Sequence, residues 1–173
     1  MTRSDVANRL RALILPLVAL LLAGHAQASV IETQRALFMQ VYADAELGVW
    51  SGVEDLSATE RQLLRDYVLW PDLRAAYLRR KLSKTPAAEI EAFLQQFGAL
   101  RPGRDLRYRY ALHLAKKGDL ESFQKIYERF YQGREIARLD CLSLQAELLA
   151  GHKERMAGRA MQLWLVGRSQ VSE

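Results

Sequence analysis

The chain has 173 residues, half of them apolar, with 25 Lys+Arg against 20 Asp+Glu and a formal net charge of +5. That is one domain of ordinary size, or the front of a larger protein, and its apolar content excludes a disordered tail. Ten glycines and four prolines are few for a turn-rich β fold. The single cysteine excludes an internal disulfide framework and a Cys-rich zinc site, and three scattered histidines form no metal-binding cluster. No Gly-rich phosphate loop, Gly-x-Ser-x-Gly elbow or His-Glu-x-x-His pair occurs. No cofactor is expected.

In chain order, the first segment is an address. Arg3, Arg9 and Arg11 precede Ala12 to Gly24, a run of 13 residues without charge. His25-Ala26-Gln27-Ala28 then places small residues where a signal peptidase reads them. This predicts a secretory signal peptide over 1–28, cut between Ala28 and Ser29. The apolar run is shorter than the roughly 20 residues of a spanning helix and contains Pro16, so no stable membrane insertion is expected after cleavage. Ser29 stands where a lipoprotein would carry Cys. Cleavage removes three of the 25 basic and one of the 20 acidic residues, leaving +3. An exported chain of such modest charge is not expected to meet nucleic acid, and the periplasm is its expected compartment.

The mature part, 29–173, reads as helix after helix. Leu37, Phe38, Val41, Tyr42 and Ala45 form one apolar stripe, which Gly48 and Gly52 break. Ser57-Ala58-Thr59-Glu60 has the form of a capping box ahead of Leu63, Leu64 and Tyr67. Pro71 suits the first turn of a helix running to about Leu82. Thr85-Pro86 reads as cap plus first-turn proline for a helix carrying Ile90, Phe93, Leu94 and Phe97, ended by Gly98. Pro102-Gly103 is expected to make the next turn. A helix with Leu106, Tyr110, Ala111 and Leu114 ends at Gly118, and Asp119 caps the following one, with Leu120, Phe123, Tyr127, Phe130 and Tyr131. After Gly133, helices over about 137–150 and 153–166 flank Gly151, the second with Met156, Ala157, Ala160, Met161 and Trp164 on one face.

Gly118 and Gly151 lie 33 residues apart, close to the period of about 34 of tetratricopeptide repeats. Superposing them aligns Leu114 with Glu147, so the units share spacing more than residues. The expected fold is all-α: an irregular α-solenoid, or superhelix, of antiparallel helix pairs, tetratricopeptide-like and preceded by the signal peptide. Trp164 and Leu165 should then lie half uncovered, in want of a partner or more chain.

Three segments carry a family resemblance. They are Leu64-Arg65-Asp66-Tyr67-Val68-Leu69-Trp70-Pro71-Asp72-Leu73, Leu114-Ala115-Lys116-Lys117-Gly118-Asp119 with Phe123, and Leu163-Trp164-Leu165-Val166-Gly167-Arg168-Ser169-Gln170 after Cys141, Ala146, Gly151 and Ala160. Their order and spacing resemble the N-terminal superhelical region of soluble lytic murein transglycosylases, over about residues 32–170. The match departs at Val68, where the family has Pro, and at Asp72, where it has Tyr. The resemblance implies a U-shaped helical domain leading to a lysozyme-like catalytic domain. There one Glu acts first as acid and then as base, leaving a 1,6-anhydro-muramic end.

The family's catalytic segments, Glu-Ser, Gly-Leu-Met-Gln and Ala-Tyr-Asn-Ala-Gly, do not occur here as a set. Glu121-Ser122 is a coincidental dipeptide in a repeat helix. No catalytic residue is carried over, substrate-binding residues are unknown, no metal is expected, and the chain is predicted to be inactive alone. The resemblance also implies a disulfide from Cys141 to a Cys beyond residue 173. Without one, Cys141 reads as a small buried residue on a helix face. The ending Val171-Ser172-Glu173 departs from the family and reads as a truncated frame or a genuine short relative.

The remaining constellations read plainly. Arg101, Arg104, Arg107 and Arg109, interleaved with Tyr108 and Tyr110, read as a solvated basic face with core tyrosines. Arg79, Arg80, Lys81 and Lys84 suit a helix C-terminus. Trp50, Trp70 and Trp164 read as packing anchors, and His113 and His152 as a helix and a turn residue. Glu32, Glu46, Glu60, Glu89, Glu91 and Glu128 are expected to face water. The functional expectation is the non-catalytic part of a periplasmic transglycosylase, guiding peptidoglycan glycan strands. The alternative is an exported tetratricopeptide-like scaffold that binds a protein partner.

Overall fold

The computed structural model describes residues 29–165. The predicted signal peptide with Ala28, and residues 166–170 of the third family-like segment, lie outside the described residues. Those described are all-α, with no strand among them. They fall into two compact units that divide between Arg80 and Lys81.

The first unit holds α1 (29–47), α2 (Ser51–Glu54), α3 (Ala58–Arg65) and α4 (Trp70–Lys81). The predicted stripe of α1 is its core face: Leu37, Phe38, Val41 and Ala45 are buried and Tyr42 packs against them. Val53, Leu56, Leu64, Tyr67 and Leu73 complete this core. Gly48, at φ +79°, ends α1 in the left-handed conformation that glycine adopts most cheaply. Gly52, expected to be a breaker, instead sits inside the short α2. The capping box forms in full: the Ser57 side chain accepts from Glu60 N–H, and the Glu60 carboxylate accepts from Ser57 N–H at 2.8 Å. In α4, Leu73, Ala75, Ala76 and Leu78 are buried, and Pro71 lies in its first turn.

The second unit holds α5 (Ala87–Phe97), α6 (Arg101–Lys117), α7 (Leu120–Phe130), α8 (Ala137–Leu149) and α9 (Lys153–Leu165). Helix packing runs between successive elements: α5 on α6, α6 on α7, α7 on α8 and α8 on α9. Thr85 does not cap α5; its hydroxyl donates back to Lys81 O at 2.9 Å, and Pro86 occupies the cap position. Pro102-Gly103 is no turn but the first turn of α6, where a proline loses no helical hydrogen bond. Gly103 is buried there, and a Cβ on it would lie 2.8 Å from Gly98 Cα, so its smallness serves close packing rather than chain reversal.

Gly118, at φ +86°, closes α6, and Asp119 caps α7 by accepting from Ser122 N–H at 3.2 Å. The buried face of α6 is Leu106, Tyr110, Ala111 and Leu114, as its spacing predicts; on α7 Phe123 and Tyr127 are fully buried. Among the described residues, no helix is long and apolar enough to cross a membrane.

Candidate functional site

Among the residues singled out in the sequence, Trp50 and Trp70 meet within the first unit. Cys141 lies on α8 with an exposed thiol, contrary to the buried alternative read from the sequence. Ser29 is the first described residue, and its carbonyl accepts from the Thr33 hydroxyl at 2.9 Å. Glu121 is exposed on α7 and ion-paired with Lys125 at 2.7 Å, which raises the lysine's pKa. Glu121 thus forms part of a solvated surface pair, one helical turn apart.

Arg101, Arg104 and Arg109 of α6 are exposed, as expected, and Arg107 alone of the four is partly buried. Arg104 donates to Ala99 O at 2.6 Å and Arg107 to Gly98 O at 2.8 Å, so both hold the α5–α6 turn. Arg107 also lies over the Phe130 ring at 3.9 Å. Burial lowers its pKa. Trp50 and Trp70 are packing anchors, their centroids 6.0 Å apart, with Arg74 over Trp50 at 4.8 Å and Tyr77 also at 4.8 Å. Trp164 is not an anchor: it is 83% exposed.

The most developed polar arrangement was missed by the sequence reading. It lies where α7, α8 and α9 meet. From α9, Arg159 Nη1 donates to Glu147 Oε1 at 2.7 Å and to Ser143 Oγ at 2.9 Å; Nη2 donates to Tyr127 OH at 2.9 Å. Tyr127 OH in turn donates to Asp140 Oδ1 at 2.5 Å, and Ser143 Oγ donates to Gln124 Oε1 at 2.8 Å. Asp140, Ser143 and Glu147 are all buried. Glu32, Glu46, Glu89, Glu91 and Glu128 are exposed as expected and Glu60 is partly buried, while Glu147 and Asp140, which the sequence did not single out, are buried. Glu147 Oε2 is buried without a hydrogen-bond partner among the described residues.

Burial, then the hydrogen bond and charge of Asp140, push the Tyr127 phenol well above the ordinary tyrosine pKa, against the opposing pull of Arg159. For Arg159 burial works against the cation, but Glu147 and Tyr127 outweigh it and raise its pKa. The arrangement ties α9 to α7 and α8 through Arg159. Among the described residues, no group of three His, Cys, Asp or Glu is placed to hold a metal ion.

The apolar face predicted for α9 is mostly uncovered. Met161 and Trp164 are exposed, and no residue of α9 from Lys153 to Trp164 is buried. Its inward side is a stripe of Met156, Arg159 and Ala160, only partly buried. One signal for Arg159 was available: the alignment of Glu147 with the apolar Leu114 marks a charge at a core phase, which demands a cation. Compared with protein-family models, curated proteins and solved structures, the chain matches none.

Proposed function

We propose that residues 29–173 are the non-catalytic helical part of a periplasmic soluble lytic murein transglycosylase. In this reading they belong to a solenoid of antiparallel helix pairs that guides glycan strands toward a lysozyme-like catalytic domain. The observation that carries the reading is the order and spacing of the three family-like segments. The Leu-Ala-Lys-Lys-Gly-Asp segment supports it physically, since each residue type has a task at that turn. Leu114 is buried, Gly118 takes the left-handed conformation, and Asp119 caps the next helix. Successive packing from α5 to α9 suits a solenoid.

The test uses purified residues 29–173 and murein sacculi. Co-sedimentation without 1,6-anhydro-muropeptides in the mass spectrum is the expected result. Anhydro products that vanish in Glu121→Gln overturn the non-catalytic reading, and neither binding nor product overturns the glycan reading. The second reading, an exported scaffold that binds protein, is favoured by one observation. Large apolar side chains stand exposed on both units, among them Leu47, Val68, Met161 and Trp164.

A further inference from the structure

Helix α9 packs on α8 with little of itself buried. From Lys153 to Trp164 every residue is exposed or only partly buried, the partly buried ones being Met156, Arg159 and Ala160. The corresponding helix of the preceding pair, α7, instead sinks Phe123 and Tyr127 into the core. Burial of an apolar face is the main force that docks a helix, and α9 is held by far less of it than α7.

What ties α9 down is polar. Among the described residues, the side-chain hydrogen bonds from α9 to its neighbouring helices all start at Arg159, on Glu147, Ser143 and Tyr127. In water the same guanidinium and carboxylate are solvated, so the net gain from docking them is small compared with the strength of the bonds themselves. The fit is also incomplete: Glu147 is 4% exposed, and its Oε2 finds no partner among the described residues.

Two glycines weaken the dock further. Gly158 lies inside α9, and a Cβ there would meet nothing within 4 Å. Alanine would fit, so this glycine forgoes helix propensity without serving close packing. Gly151, left-handed at φ +82°, joins α8 to α9 and is equally open, which gives the junction a pivot with space around it.

We infer that α9 is a hinged strap: it opens from α8 as one unit about Gly151 while α6, α7 and α8 stay folded, and the opening uncovers Glu147, Ser143 and Tyr127. It opens as a unit because, once Arg159 lets go, no buried side chain between Lys153 and Trp164 holds the rest of the helix. The strap is thus a gate over a buried carboxylate, and the open form presents Glu147 to solvent. This goes beyond the glycan reading and does not rest on it, because sacculus binding does not enter its test.

Native-state hydrogen exchange of the full chain in low concentrations of urea is the measurement. Amides of α9 beyond its first turn should exchange at least about a hundredfold faster than those of α6 around Leu106 and Tyr110. Their rates should depend little on urea, since the opening exposes little surface. Gly158→Ala should slow exchange in α9 about fivefold. Leu106→Ala, on the buried face of α6, should speed exchange in α6 and leave α9 unchanged, because α6 is folded in both the closed and the open form. Exchange in α9 as slow as in α6, equal acceleration of both helices by Leu106→Ala, or no response to Gly158→Ala overturns the inference. So does a rate that climbs steadily along α9 toward Leu165, which is fraying and not a hinge. If Leu106→Ala does not fold, the urea dependence and Gly158→Ala decide the matter alone.

Discussion

The α6–α7 and α8–α9 pairs share one turn and are held by opposite chemistry. In the first, Gly118 N–H donates to Ala115 O at 3.1 Å and Asp119 N–H to Leu114 O at 3.0 Å. In the second, Gly151 N–H donates to Leu148 O at 3.1 Å and His152 N–H to Glu147 O at 2.9 Å. Both glycines are left-handed, at φ +86° and +82°. Paired bonds of this kind around a left-handed residue satisfy the last carbonyls of the helix. Yet the equivalent side chains are Leu114, 5% exposed, and Glu147, 4% exposed. The turn uses only the backbone of that residue, so its side chain is free to be apolar or charged, provided the next helix supplies the match. α7 supplies Phe123 and Tyr127; α9 supplies Arg159.

The sharpest way to break this comparison is to exchange the chemistry. Leu114→Glu places a carboxylate at the buried position of the first pair, where the residue equivalent to Arg159 is Ile126. Burying an unmatched charge should cost about 4 kcal/mol. Urea denaturation should show the loss, and adding Ile126→Arg should recover part of it. Wild-type stability in the single variant would mean that the two positions are not equivalent.

In the second pair, Arg159→Ala strands Glu147, and Tyr127 loses one hydrogen-bond partner. A loss of about 3 kcal/mol is expected, with the amides of α9 exchanging fastest. Replacing both partners, Glu147→Leu with Arg159→Met, should lie within about 1 kcal/mol of wild type or above it, because an apolar pair carries no desolvation cost. A double variant as unstable as Arg159→Ala would show that the ion pair itself, and not its broken half, decides the packing of α9.

These two pairs also mark what was legible in the sequence. Apolar stripes were legible because a helix repeats its face every 3.6 residues, so Leu37, Val41, Leu106 and Tyr110 announce their burial. The Ser57 box and the Asp119 cap were legible because their partners lie three residues away. Pro102-Gly103 misled because the same dipeptide suits a turn and a helix start, and only packing against the α5–α6 turn decides between them. The Arg159 cluster was hidden because its members span 32 residues, from Tyr127 to Arg159, and meet only through tertiary structure. On α9 the apolar periodicity pointed to Met161 and Trp164, while the helix turns a charged residue inward.

A smaller effect tests whether the two turns are alike in energy as well as in geometry. A Cβ added at Gly118 or Gly151 meets nothing within 4 Å. Gly118→Ala and Gly151→Ala should therefore cost only the left-handed backbone penalty, about 1–2 kcal/mol each, and agree within about 0.5 kcal/mol. Thermal denaturation of the two variants side by side is the measurement. A larger loss at Gly151 would mean that the α9 dock amplifies strain at its own turn.

The smallest expected effect is alkaline. Tyr127 is held protonated in the folded state by burial and by its hydrogen bond to Asp140, so its folded pKa lies above the unfolded value of about 10. Above that value the unfolded chain releases a proton that the folded chain keeps. By linkage, the stabilisation from Tyr127 is complete below about pH 10 and declines as pH rises further. At pH 10.5 the decline should be under about 1 kcal/mol. Tyr42, Tyr110 and Tyr131 are also raised, burial being the first cause for each, so they add to the slope. Tyr127→Phe lowers the starting stability by removing both of its hydrogen bonds, so the slope between pH 9 and 10.5 is the quantity to compare, and it should be shallower in the variant. An identical slope would place Tyr127 in water and break the contrast between the apolar pair and the polar one, because the phenol is the group that α7 lends to both.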